Sequence, residues 1–154
     1  DSRSLPELGL NQTSVFLGAF PGDRVNPDKE ITVSAVLLPN FEKLTNRQLA
    51  LAPKIELSTT EINIPPLGGK KKHRVVVTIK NVGKSTLDIS NLRMFTSALQ
   101  VSLNKTHLMP GMEAKLKITV LAEKLKTIRS KPRVLMITND PDNPKVTINV
   151  NVAK

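Results

Sequence analysis

The sequence predicts an all-β protein whose main part is an antiparallel β-sandwich, and three observations carry that reading. Short segments with apolar side chains at every second position recur from Lys54 onward, separated by Gly, Pro and Asn turns. Aromatic residues make up only 3% of the chain, without Trp or Tyr, so a core must come from Val, Ile and Leu. The β-branched members of that set favour strands. The composition also changes near Pro53: residues 1–53 carry five basic against six acidic residues, and the remainder 18 against seven. The net charge of +10 therefore belongs to the second part, a sign of two regions with different surroundings.

In residues 1–40, TSVFLGAF (13–20) and KEITVSAVLLP (29–39) read as two strands around a Pro/Gly/Asp/Asn loop. Two strands alone are marginal in water, so this N-terminal β-hairpin is expected to close an upstream or truncated domain. An unpaired hairpin also leaves a strand-exchanged dimer open, and the sequence fixes no oligomeric state. FEKLTNRQLALAP (41–53) offers Thr45 or Asn46 as N-cap ahead of Leu49 and Leu51, a short linker helix ending before Pro53.

Residues 54–154 hold the sandwich. Ile55 and Leu57 alternate with polar neighbours, Ile62 and Ile64 follow, and PPLGG (65–69) turns the chain. HRVVVTIKN places Val75, Val77 and Ile79 on one face, and NVGKS (81–85) turns again before Leu87 and Ile89. Val101 and Leu103 form a short strand, and Pro110-Gly111 is another turn. EAKLKITVLAEKL sets Ala114, Leu116, Ile118 and Val120 against Lys115, Lys117 and Thr119, the pattern of a strand with one wet face. RVLMIT (133–138) is apolar without interruption from Val134 to Ile137, as a central strand would be. Val146, Ile148, Val150 and Val152 then alternate to the end. About seven strands in about 100 residues point to an immunoglobulin-like sandwich. In the stretch ITNDPDNPKV, Pro141 and Pro144 cannot donate ladder hydrogen bonds, while Asn139, Asp140, Asp142 and Asn143 can cap turns, so geometry alone accounts for this corner.

Leu10, Thr13, Val15, Leu17, Phe20 and Gly22 align with Leu57, Thr60, Ile62, Ile64, Leu67 and Gly69 at a constant offset of 47 residues. Either a partial internal repeat or two amphipathic strand starts in chance register fits this pattern.

Function is bounded mainly by what is missing. The chain has no Cys, which removes disulfides, thiolate metal sites and cysteine nucleophiles. No run approaches the ~18 apolar residues of a membrane span. Its two histidines, His73 and His107, have no Asp/Glu/His spacing around them that suggests a metal site or a triad, and both read as surface residues. GGKKKHR (68–74) lacks phosphate-loop spacing and reads as a basic hairpin tip. Asp140 and Asp142 lack a bidentate Glu partner for Ca²⁺ and read as turn residues. No catalytic residue, cofactor or metal is expected, and the protein reads as a non-enzyme.

Charge is the one feature that points to a partner. Polyanion contacts would draw on Lys70, Lys71, Lys72, Arg74, Lys115, Lys117, Arg129, Lys131 and Arg133. Nucleic acid is disfavoured, since Phe95 is the one aromatic available for stacking in this region. Envelope polysaccharide and lipid headgroups fit the same charge. The plain alternative is a solvated lysine face that guards strand edges against aggregation.

Four segments also carry a family likeness: APKIELSTTEI (52–62), VTIKNVGKSTLDISNL (77–92), LMPGMEAKLKITV (108–120) and ITNDPDNPKVTINVNV (137–152). In that order, with their N-x-G-x-x-x-L-x-I and P-G-x-x-A-x-L-x-I patterns, they resemble a Bacteroidetes-type family of Ig-like domains, domain of unknown function fifteen-seventy-three. That family is related in fold to Hydin/ASPM-type Ig-like domains. The chain departs from it at NLRMFTSALQV (91–101), where many relatives carry a Cys-Gly-Cys-like segment. The resemblance implies an interaction or scaffold module of a bacterial envelope or secreted protein, contacting another protein or envelope component. It implies a periplasmic, outer-membrane-associated or extracellular place, with signal or anchor outside this chain. ITVSAV also resembles the last strand VTINVNV, as the closing hairpin of an upstream domain would.

Overall fold

A computed structural model of the chain describes residues 8–24, 26–128 and 131–153. It divides into two compact units, Asp1–Leu38 and Pro39–Lys154. In the first, strands β1 (Gly9–Phe16) and β2 (Glu30–Leu37) pair antiparallel with Val15 opposite Ile31 and Thr13 opposite Val33. Partners across an antiparallel pair share a face, so Val15, Ile31 and Val33 line one side, each 47–49% exposed. The other side is polar in its middle, where Gln12 Nε2 donates to Ser34 Oγ at 3.1 Å, and carries Leu10, Val36 and Phe16 toward its ends. In the loop, Asn26 caps a single 3₁₀ turn at Pro27–Lys29 through a bond from the Asp28 amide. The Asp23 carboxylate accepts from the Ala19 amide and from Lys29 Nζ. These two bonds, the amide's first, hold its pKa below the usual carboxylate value.

The second unit begins with α1 (Asn46–Ala50), whose N-cap Thr45 exchanges hydrogen bonds with Gln48 in a capping box. Among the described residues, nine strands follow: β3 (Ile55–Leu57), β4 (Glu61–Ile64), β5 (Lys72–Asn81), β6 (Leu87–Met94), β7 (Leu99–Leu103), β8 (His107–Leu108), β9 (Glu113–Leu121), β10 (Arg133–Thr138) and β11 (Lys145–Val152). They form a four-stranded sheet, β3-β5-β9-β7, and a five-stranded sheet, β4-β11-β10-β6-β8. The count exceeds the expected seven or so. β8 has only two residues, too few to show a period, and His107 lies in it.

Within the second unit the chain changes sheets at every step from β3 to β10, and among its described strands β10 and β11 are the one consecutive pair that forms a same-sheet hairpin. The first half of GGKKKHR, residues 68–71, is therefore part of a crossover between sheets rather than a hairpin tip, and Lys72, His73 and Arg74 already belong to β5. Gly68 and Gly69 adopt positive φ (52° and 84°) there, a conformation that glycine reaches without penalty. The two sheets share one dry interior. Val77, Ile79, Ala114, Leu116, Ile118 and Val120 meet Leu87, Val134, Met136 and Ile148 across it, all fully buried. Burying one Leu or Ile side chain in this way contributes about 1.5–3 kcal/mol. β10 is covered on both faces as its sequence predicts: Leu135 and Ile137 are buried on the side away from that interior.

β4 is an edge strand that pairs parallel with β11, and Glu61 ties the pair by accepting from Asn149 Nδ2 (2.7 Å) and Asn151 Nδ2 (2.9 Å). Asn91 sits at φ 51° where the β6–β10 register shifts, a bulge that lets Leu92 pack against the core. After β9, α2 (Ala122–Leu125) replaces the further strand residues suggested by the alternation. Ala, Glu, Lys and Leu are all good helix formers, and local propensity prevails once the sheet ends.

The offset of 47 residues does not relate equivalent elements. Val15 lies in one antiparallel hairpin strand, whereas Leu57 and Ile62 lie in two strands of different sheets, the second paired parallel.

Candidate interaction surface

Alternation on β5 and β9 decides where the charge goes. With Val77, Ile79, Leu116 and Ile118 turned inward, Lys72, Arg74, Lys115 and Lys117 must stand on the outer face of the four-stranded sheet. The register sets Val76 opposite Lys117, Thr78 opposite Lys115 and Arg74 opposite Thr119. β7 adds Gln100 and Ser102, opposite Thr119 and Lys117. Arg74, Lys117, Thr119, Gln100 and Ser102 together line a shallow hollow of about 440 Å³. At the far end Lys80 lies 3.9 Å from Glu113 and opposite Glu56, while Lys72, Arg74, Lys115 and Lys117 have no ion pair among the described residues. β5 and β9 are the inner strands of their sheet, and β3 and β7 are its edges. β3 covers β5 only at residues 79–81, so Lys115 and Lys117 stand on a strand paired on both sides, whereas Lys72 and Arg74 flank a stretch of β5 open on one side, where the edge-guarding reading still applies.

The remaining candidates lie elsewhere. Lys70 and Lys71 are exposed in the crossover before β5. Lys131 is exposed ahead of β10 in the other sheet, and Arg129 lies outside the described residues. Arg133 opens β10 and places its guanidinium 4.4 Å from the centre of the Phe95 ring, a cation–π contact that occupies it. Sequence reasoning missed Gln100, Ser102 and Thr119, uncharged groups that gave no signal until the sheet order was known. It also passed over Lys124 and Lys126, exposed at and after α2.

Neither histidine gathers a catalytic constellation. His107 is exposed with Nδ1 against the Asp88 carboxylate, and His73 is half-buried on the inward row of β5, not on the open surface. No cluster of three metal-ligating side chains occurs among the described residues. No described helix is long and apolar enough to cross a membrane.

The Asn/Asp/Pro corner does more than turn the chain. Asp140 is buried, and its carboxylate accepts from the Ile55 amide at 2.9 Å, the Asp142 amide at 2.9 Å and Asn143 Nδ2 at 3.1 Å. Asn139 Oδ1 accepts from the Asp88 amide at 2.8 Å. Asn81, also buried, accepts from the Gly83 and Lys54 amides and donates to the Ser85 and Leu108 carbonyls. Gly83 lies so near the linker that an added Cβ would sit 2.3 Å from the Lys54 nitrogen. The two turn motifs thus clamp one segment, residues 52–55, from both sides. Their polar atoms are spent on structure.

Two sheets in this order around one aliphatic interior define an immunoglobulin-like β-sandwich module. The HYDIN/CFA65/VesB-like, Ig-like domain family model matches residues 53–153, and the chain belongs to that family. No curated protein matches the chain. Among solved structures, a Porphyromonas gingivalis W83 protein of unknown function is 25% identical with a TM-score of 0.75, over 99% of this chain and 68% of that one. The secreted serine protease VesC from Vibrio cholerae is 10% identical, with a TM-score of 0.44 over 69% of this chain and 24% of its own. PapD-like domain 7 of human CEP192 is 12% identical, with a TM-score of 0.49 over 75% and 93%.

Proposed function

We propose that the chain is a non-enzymatic interaction module of a bacterial envelope or secreted protein, acting through the outer face of its four-stranded sheet. The observation that carries this reading is the placement of Lys115 and Lys117 on a strand paired on both sides, with Lys72 and Arg74 on the same face and none of the four in an ion pair among the described residues, while the acids Glu56 and Glu113 gather around Lys80 at the far end. A folded sheet needs no such charge there, and like charges side by side repel. A flat cationic face with Gln, Ser and Thr between the charges, and no stacking aromatic, suits an anionic polysaccharide or an acidic protein surface better than a single-stranded nucleic acid. The finer family, domain fifteen-seventy-three, and the envelope setting rest on the four-segment resemblance, with support from the bacterial likeness over nearly the whole chain.

Residues 1–40 are, on this proposal, the closing hairpin of a preceding domain of the same kind, joined through the linker at 41–53 to the domain at 54–154. The bare apolar side of β1 and β2 is what such a hairpin shows when the strands opposite it are absent. An Asn-Pro pair stands shortly before both β2 and β11.

Titration with heparin, as a probe polyanion, at two salt concentrations tests the reading. Binding should weaken steeply with salt, and Lys115→Glu with Lys117→Glu should lower affinity about tenfold or more. Absence of binding at low salt, or indifference to that double variant, would remove the proposed surface. Tighter salt-dependent binding of a DNA duplex than of heparin would transfer the function to nucleic acid.

A further inference from the structure

At one end of the sandwich lies a cleft of about 640 Å³ that shares no lining residue with the hollow on the basic sheet face, though a smaller hollow lined by Lys72 and Gln100 adjoins both. The floor of the cleft is Leu67 from the crossover after β4, Ala122 and Leu125 from α2, and Val152 and Ala153 at the end of β11. Leu67, Leu125 and Val152 are half-buried and pack on the hydrophobic core, so the floor continues the protein interior. The rim is Lys70, Lys71 and Lys126, with Glu123 the one acid lining it among the described residues. None of these four forms an ion pair among the described residues. Lys72 and Lys124 share the adjoining hollow with Lys71 and Glu123.

The walls are built rather than incidental. The left-handed Gly68-Gly69 pair doubles the chain back, the Lys70 amide donates to the Leu67 carbonyl at 2.8 Å, and Leu67 turns in while Lys70 and Lys71 turn out. The Ala122 amide donates to the Lys71 carbonyl at 3.0 Å, which fastens α2 to the crossover. The Ala153 amide donates to the Ile64 carbonyl at 2.9 Å. These lining amides are therefore already engaged, and a peptide laid here would find few main-chain partners. An aliphatic chain needs none.

We infer that this cleft binds a single-chain anionic amphiphile of the long-chain fatty-acid class. Its hydrocarbon lies on the Leu67, Leu125 and Val152 floor, and its carboxylate meets the Lys70, Lys71 and Lys126 ammonium groups. The volume falls within the ~300–1,000 Å³ of small-molecule sites. Lysine suits such a rim, because its methylene stem extends the apolar wall while its charge stays in water.

The test is titration of the full ¹⁵N-labelled chain with dodecanoate below its micelle concentration, beside dodecanol, dodecyltrimethylammonium and acetate. Saturable amide shifts should gather at Leu67, Lys70, Ala122 and Val152 with dodecanoate, and dodecanol and the cation should bind at least about tenfold more weakly. Lys70→Glu with Lys71→Glu should cost about tenfold in affinity, and Ala122→Trp, which fills the cleft, should abolish the shifts. Amide dispersion shows whether each variant is folded, and the charge variant carries the test if the Trp variant is not. Lys115→Glu with Lys117→Glu should leave dodecanoate binding unchanged, which separates this cleft from the sheet face. Equal binding of the cation, equal effect of acetate, or shifts spread over β5 and β9 would each overturn the inference. So would binding to anionic phospholipid vesicles with none to free dodecanoate.

Discussion

The hairpin of residues 9–37 and the sandwich of residues 55–152 are written in the same alternating pattern, yet they treat their apolar sides differently. In β9 the inward row, from Ala114 to Val120, is wholly buried, whereas Val15, Ile31 and Val33 stay about half exposed in β1 and β2. Alternation creates an apolar face; a second sheet opposite is what makes that face a core. The sandwich also contains its own fastenings. Asn81, Asp140 and Glu61 each join segments far apart in sequence, while Gln12, Asp23 and Lys29 bond to partners within the hairpin.

The largest effect that can break or sharpen this comparison is a cavity. Leu116→Ala should lower the stability of the sandwich by about 2–5 kcal/mol, whereas Val33→Ala in β2 should change it by less than about 0.5 kcal/mol, both read from urea unfolding. Equal costs would mean that the hairpin side is packed after all. Next comes the clamp. Asp140→Ala leaves the Ile55 and Asp142 amides without their acceptor and should cost about 1–3 kcal/mol. Gly83→Ala should cost a similar ~1–3 kcal/mol, because its Cβ meets the Lys54 backbone. In both variants the hairpin amide shifts should stay in place.

A smaller loss is expected from Arg133→Ala, about 0.5–1 kcal/mol for the contact with Phe95, with heparin affinity nearly unchanged. A large drop in that affinity would return Arg133 to the binding surface. The smallest effect is one of pH. The Asp23 carboxyl is held below its ordinary value by the Ala19 amide and Lys29, so its contribution to loop order is complete above that value. It should be lost only as pH falls through the lowered one. The Ala19 amide shift should therefore hold from neutrality to about pH 4 and move below it, with the sandwich amides unaffected.

Much of this was legible in advance, and what was not has identifiable causes. The wet and dry rows of β9, the double burial of β10 and the capped helix at Asn46 follow from local pattern. The sheet order does not, and with it went the distinction between an edge lysine and an inner-strand lysine on which the functional reading turns. ITNDPDNPKV read correctly as a corner, but its bond to the Ile55 amide spans 85 positions and no local rule reaches that far. The cleft was invisible for the same reason. Leu67, Leu125 and Val152 are ordinary aliphatics of a crossover, a short helix and a strand end until three distant segments meet.

The contrast between the two units can be measured in one experiment, native-state amide hydrogen exchange on the whole chain. Amides of β9 and β10, paired on both sides, should exchange only with global unfolding, and those of β1 and β2 orders of magnitude faster through local opening. Equal protection in β1 and β9 would show a single cooperative structure and contradict the account.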